Sequence, residues 1–124
     1  MSLAALMPVV RAFLDERRFA VLATINESSL PHLTAIWYEV QGNEVMMNTA
    51  RGRLKDRNLR RDPCCALCIE DDQQYVPLYG RATLIDDQAQ AQVVGLRLAI
   101  RYGGRDQAEE RAPLIAQQQR GPSA

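Results

Sequence analysis

A chain of 124 residues, 47% hydrophobic and 24% charged, is sized for one domain spanning residues 1–124 and needs neither disulfides nor a metal to build a core. Its formal net charge of +0 argues against a general nucleic-acid coat or a polybasic membrane protein. No apolar run approaches the roughly 20 residues that span a bilayer, and Pro8 and Arg11 interrupt an N-terminus that lacks the basic start of a signal peptide, so a cytoplasmic location with no membrane partner is expected.

Residues 3–18 read as an amphipathic helix, with Leu6, Val10, Phe13 and Leu14 on one face. "FAVLATI" is a short apolar run of strand formers, and "NESSLP" after it is turn chemistry. "HLTAIWYEV" predicts a second strand. His32, Thr34, Ile36, Tyr38 and Val40 fall on one face, and Leu33, Ala35, Trp37 and Glu39 on the other. "QGN" is a hairpin turn, and "EVMMNTA" a third strand. Gly52 precedes a helix over 53–61, which Asp62 and Pro63 end.

"CALCIE" is a fourth strand. An odd, clustered set of three cysteines is a poor disulfide framework. On a strand, Cys64 and Cys68 face away from Cys65, so the three do not converge on a metal; buried, reduced thiols are expected. "YVPLYGRATLID" predicts a long strand in which Pro77 and Gly80 mark an edge, a bulge or a bend. Asp86 is the expected N-cap of a helix over 87–102, and a weaker polar helix is expected over 107–119. Strands in consecutive hairpins with one intervening helix point to a mainly β, α+β fold: a small antiparallel barrel with peripheral helices.

The charge is concentrated rather than spread. Six of the 15 basic residues, Arg51, Arg53, Lys55, Arg57, Arg60 and Arg61, fall within eleven positions, and Lys55 is the only lysine. A strand end, a glycine turn and a helix start make a natural phosphate site, because the first helical amides lack internal partners and the helix dipole adds positive charge. Arg53 and Lys55 add charged donors, and Asn48 and Thr49 neutral ones. A solvated basic face is the competing reading, with Arg57, Arg60 and Arg61 paired to carboxylates such as Asp62, Glu70 and Asp71. Nucleic-acid binding is disfavoured because the segment contains no aromatic residue. Neither GxxxxGK[ST] nor GxGxxG occurs.

Four stretches in this order, "FLDERRFAVLATI", "LPHLTAIWYEV", "GRLKDRNLRRDP" and "YVPLYGRATLID", resemble the pyridoxamine 5'-phosphate oxidase-like split β-barrel superfamily, in particular its flavin/deazaflavin oxidoreductase branch. The resemblance implies a six-stranded antiparallel split β-barrel of the FMN-binding type. It also implies a homodimer with a cofactor site at each end of the interface, holding coenzyme F420 or, alternatively, FMN. On that reading Arg53, Leu54 and Lys55 hold the cofactor phosphate, the strand carrying His32 and Ala35 lies along the ring, and Asn48 and Thr49 complete the pocket. Tyr75 and Tyr79 would reach the partner chain's cofactor. Arg53 stands where FMN-binding members often carry serine, which leans the resemblance toward F420. Family members usually end in a further strand, where this chain ends in "APLIAQQQRGPSA".

The implied activity is hydride transfer between the cofactor and a small unsaturated substrate, with a non-catalytic cofactor-binding protein as the other class. The cofactor would carry the chemistry, in keeping with a sequence that shows no convincing triad or carboxylate pair. His32, the sole histidine, is either a ligand contact or a packing residue, and Trp37 either stacks on the ring or packs in the core.

Overall fold

The six residues "AVLATI" bury Ala20, Leu22 and Thr24 while Val21 is exposed, so period-two alternation makes them a strand with one face on the core. This strand, β1 (Ala20–Ile25), is central to the computed structural model, which describes residues 8–103. Around it the chain runs α1 (Pro8–Asp15), β1, β2 (Pro31–Ile36), β3 (Tyr38–Gln41), β4 (Glu44–Met47), α2 (Leu54–Arg61), β5 (Cys64–Glu70), β6 (Tyr75–Arg81) and α3 (Gln88–Gly103). All pairings are antiparallel. A four-stranded sheet has the order β2-β1-β5-β6, and β3 and β4 form a separate hairpin across a turn in which Gly42 takes a φ of +58°. The expected α+β class and antiparallel pairing hold, but the strands group into two sheets rather than one closed ring among the described residues.

The core lies between the sheets and the helices. Leu22, Leu67, Ile69 and Leu78 from the large sheet meet Tyr38 and Val45 from the hairpin, Leu14 from α1 and Leu59 from α2. Two polar contacts fix the elements against each other. The buried Tyr38 hydroxyl reaches the carbonyl oxygens of Leu14 at 2.9 Å and Glu16 at 3.2 Å. Buried Asn58 on α2 donates to Thr24 Oγ1 at 3.1 Å and Asn26 Oδ1 at 2.9 Å, satisfying its own amide and tying the helix to β1.

Several boundaries differ from the sequence expectation. The first helix runs over Pro8–Asp15; Leu6, together with the polar helix expected over 107–119, lies outside the described residues. The strand expected over 32–40 breaks at Trp37, where the chain crosses from one sheet to the other. The long strand expected from Tyr75 ends at Arg81, although Pro77 does sit on an edge strand, where a missing N–H is tolerated. Asp87, not Asp86, caps α3: its Oδ1 accepts the Gln90 N–H at 3.1 Å. All three cysteines are free, but only Cys65 is buried; Cys64 and Cys68 are half-buried on the opposite face of β5. No helix among the described residues is long and apolar enough to cross a membrane.

Candidate functional site

Directly after β4 the chain passes through Asn48, Thr49 and Ala50 and turns at Gly52, whose φ of +86° lies in the left-handed region that favours glycine. Arg53 is the N-cap residue of α2, with extended backbone and no side-chain capping bond. Its N–H donates to the Ala50 carbonyl at 3.3 Å, closing the turn. The amides of Leu54, Lys55 and Asp56 then open the helix, where a helix has no internal acceptors to offer.

The turn is held from behind. Asp56, buried in the first turn of α2, accepts the Gly52 N–H on Oδ2 at 2.7 Å and the Arg60 Nε–H on Oδ1 at 3.0 Å. Arg60 continues to Asp86, donating to Oδ1 at 2.5 Å and Oδ2 at 3.2 Å, and Arg51 joins the same carboxylate at 2.9 Å. Hydrogen bonding to Arg60 holds the Asp86 carboxyl below the usual aspartate range. Asp86 is therefore a clasp between the basic segment and the approach to α3. The carboxylate pairing expected for Arg60 exists, with Asp56 and Asp86 as partners. Arg61 instead binds the Ile25 carbonyl and Asn58 Oδ1.

Arg53 and Lys55 are placed differently. Among the described residues no carboxylate lies within ion-pair distance of either. Arg53 is exposed and Lys55 half-buried. Burial, with the Arg53 charge beside it, holds the Lys55 ammonium below the ordinary lysine value. Both line a cavity of about 300 Å³ whose walls also include Ala35, Trp37, Asn48 and Thr49. The buried Thr49 Oγ1 has no hydrogen-bond partner among the described residues. The cavity has no carboxylate, histidine or cysteine in its lining among the described residues. It offers an anion grip at one end and apolar and aromatic walls at the other, and no conventional acid–base pair.

Five of the seven residues singled out in the sequence thus converge on one cavity: Ala35, Asn48, Thr49, Arg53 and Lys55. Leu54 is exposed just outside that lining. His32 sits on β2 opposite Thr24, half-buried, and does not line the cavity. The cavity takes the end of β2, where both Ala35 and Ile36 line it, and His32 lies toward the strand's start.

The sequence profile described as pyridoxamine 5'-phosphate oxidase matches residues 6–120. The chain belongs to this family. A solved structure of a conserved hypothetical protein from Mycobacterium tuberculosis is 30% identical, with a TM-score of 0.76, over 94% of this chain and 76% of the other. An F420 reductase superposes with a TM-score of 0.69 at 23% identity, covering 76% of each chain. HutZ, a haem storage protein from Vibrio cholerae, does so with a TM-score of 0.67 at 18% identity, covering 96% of this chain and 84% of its own. The last two likenesses show a shared fold. No curated protein matches the chain.

In this member of the pyridoxamine 5'-phosphate oxidase family, the cavity walls that sequence reasoning missed are Phe19, Ala50, Gly95 and Leu98. Gly95 and Leu98 come from α3, more than thirty residues beyond the basic segment. The one available signal was Gly95 itself: a glycine within a helix is costly unless something packs closely against it, and Gly95 is buried.

Proposed function

We propose that this chain is a coenzyme F420-dependent oxidoreductase that transfers a hydride to or from a small unsaturated substrate, working as a homodimer. The observation that carries this reading is the meeting of Arg53 and Lys55, neither within reach of a carboxylate among the described residues, at a cavity with apolar and aromatic walls. The residues fit such a group. A phosphate placed there meets two cations and the opening amides of α2, and a ring system meets Ala35, Ile36 and Trp37. Asn48 supplies a neutral polar side chain in the cavity wall. FMN presents the same phosphate chemistry and is the alternative occupant.

When bound, the cofactor supplies the hydride chemistry. The chain's own residues bind, orient and shield. Lys55 and Arg53 anchor the anionic end, the clasp through Asp56 and Asp86 holds their turn, and Phe19, Ile36, Trp37 and Leu98 limit the access of water. A lining free of carboxylate, histidine and cysteine among the described residues supports chemistry carried by a cofactor rather than by a protein acid–base pair. His32 is half-buried away from this lining, which favours its packing role.

A split barrel completed by chain pairing is part of this reading. The outer face of the four-stranded sheet carries two cross-strand rows, Leu33–Ala23–Ala66–Tyr79 and Ala35–Val21–Cys68–Pro77. Leu33 is 63% exposed and Tyr79 78%. Antiparallel sheets that face water alternate to polar residues on that side, and these rows do not.

Side-by-side titration of the purified protein with coenzyme F420 and with FMN, followed by fluorescence quenching, tests the proposal. Saturable binding of F420, weakened in Lys55→Ala, supports it; binding of neither overturns it. Turnover of the reduced coenzyme with an acceptor then separates an enzyme from a cofactor carrier.

A further inference from the structure

The ladder between β1 and β2 ends at the pair Ala20–Ile36. One step further along the same register sets Phe19 opposite Trp37, on the face that carries Val21 and Ala35. Both rings line the cavity. Trp37 is half-buried, whereas Phe19 is 64% exposed. A lone exposed phenylalanine needs no explanation. This one belongs to a built aromatic group. Tyr102, near the end of α3, stacks on Trp37 with centroids 5.1 Å apart and planes 4° from parallel, and its ring lies 5.5 Å from that of Phe19 at an interplanar angle of 39°. Both separations fall in the range over which aromatic pairs attract each other.

Tyr102 is itself held. Its hydroxyl accepts the Tyr38 N–H at 3.2 Å, and Arg17 donates to its backbone carbonyl at 3.3 Å. The two cavity-lining rings therefore lean on a third, which is tied to β3 and to the chain just before β1. A wall fixed in this way loses little freedom when a ligand settles on it. It is apolar and aromatic, so it favours a flat conjugated molecule over a puckered one of similar apolar area.

We infer that Phe19 and Trp37 form a shelf for a flat, conjugated substrate, with Phe19 as the specificity-determining residue and Tyr102 as the positioning residue behind both rings. The inference deepens the oxidoreductase reading and rests on it in taking the flat molecule to be the substrate.

The test compares cinnamamide, which is flat and conjugated, with its fully hydrogenated counterpart cyclohexanepropanamide, which keeps every heavy atom and the amide but has a puckered ring. Each is titrated into the isotope-labelled full chain without coenzyme and followed through the indole N–H of Trp37, the single tryptophan of the chain. Cinnamamide is expected to give a saturable shift and to bind about three- to tenfold more tightly than the cyclohexyl compound. Phe19→Leu keeps apolar bulk at an exposed position and is expected to bring the two affinities within about twofold. Tyr102→Leu should do the same, while Tyr102→Phe, which retains the ring, should preserve the preference. If Tyr102→Leu does not fold, Phe19→Leu carries the test. Four results overturn the inference: no saturable shift at Trp37, equal affinities in the wild type, a preference unchanged in Phe19→Leu, or displacement of cinnamamide by saturating oxidised F420, which would assign the shelf to the coenzyme ring. A chain that binds no F420 overturns the oxidoreductase reading and leaves the probe preference to decide the shelf. Loss of the preference with F420 binding intact overturns the shelf alone.

Discussion

The hydroxyl of Tyr102 brackets the peptide unit of Tyr38. It accepts the Tyr38 N–H at 3.2 Å, lies 3.1 Å from the Tyr38 carbonyl, and also reaches the carbonyl of Arg18. The Tyr102 ring stacks on Trp37 with centroids 5.1 Å apart and planes 4° from parallel. One residue near the end of α3 thereby satisfies the backbone where the chain leaves the large sheet for the hairpin. This explains how a strand with unbroken alternation can be interrupted at Trp37: the backbone groups released from one ladder find a partner in a side chain.

Tyr102→Phe keeps the stack and deletes the bracket. It should destabilise the fold by about 1–3 kcal/mol, the usual penalty for leaving buried backbone groups unpaired. Urea unfolding measures this, and hydrogen exchange should show the Tyr38 amide losing protection more than the amides of β1. Equal loss across both would mean that the hydroxyl stabilises the whole molecule rather than the crossing.

The clasp behind the Gly52 turn has a buried member and an exposed one, and they should behave differently. Asp56→Ala removes the acceptor of both the Gly52 amide and Arg60, and should cost about 1–3 kcal/mol as well as weakening coenzyme binding, since the turn that carries Arg53 is released. Asp86→Asn acts at an exposed pair screened by solvent, and should move the melting midpoint by less than about 3 °C. Its depressed carboxyl stays ionised at neutral pH, so any contribution is present there and is lost as pH falls through the lowered folded-state value. Calorimetry from neutral to acid pH, comparing wild type with Asp86→Asn, checks this: the two should converge at the acid end.

Much of this was legible in the sequence because it was local. The alternation of "AVLATI", the glycine before a basic helix and the stop at Asp62–Pro63 each specify an element through their own residues. The break at Trp37 was hidden because its cause, Tyr102, lies more than sixty positions away. The α3 cap was displaced by one residue because Asp86 and Asp87 are equivalent as local signals, and only the long-range arginines decide which is drawn aside. Leu98 joined the site unseen because nothing in its helical spacing distinguishes a core position from a cavity wall.

The outer face of the large sheet should pair with a second copy of itself. Along one row the exposed Leu33 and Tyr79 stand at the edges with Ala23 and Ala66 between them, a shape with raised rims and a low centre. Leu33→Glu places a charge on that face without touching the core. Light scattering should give a dimer for the wild type and a monomer for the variant, with circular dichroism unchanged. A wild type that is monomeric at tens of micromolar would remove the pairing.

Lys55 is the sharpest test of the anion grip, because its pKa is already lowered. Burial and Arg53 lower its pKa, so the ammonium is fully charged only below the ordinary lysine range. A bound phosphate favours the charged form, so coenzyme affinity should be constant at neutral pH and fall as pH rises, beginning below the roughly 10.4 at which an ordinary lysine titrates. Lys55→Arg keeps its charge throughout and should flatten the profile. Lys55→Ala should lose about tenfold or more at neutral pH and show no alkaline decline from this group. Titrations at several pH values distinguish these outcomes: an alkaline decline that survives in Lys55→Arg would assign the titration to another group and leave Arg53 as the principal cation of the site.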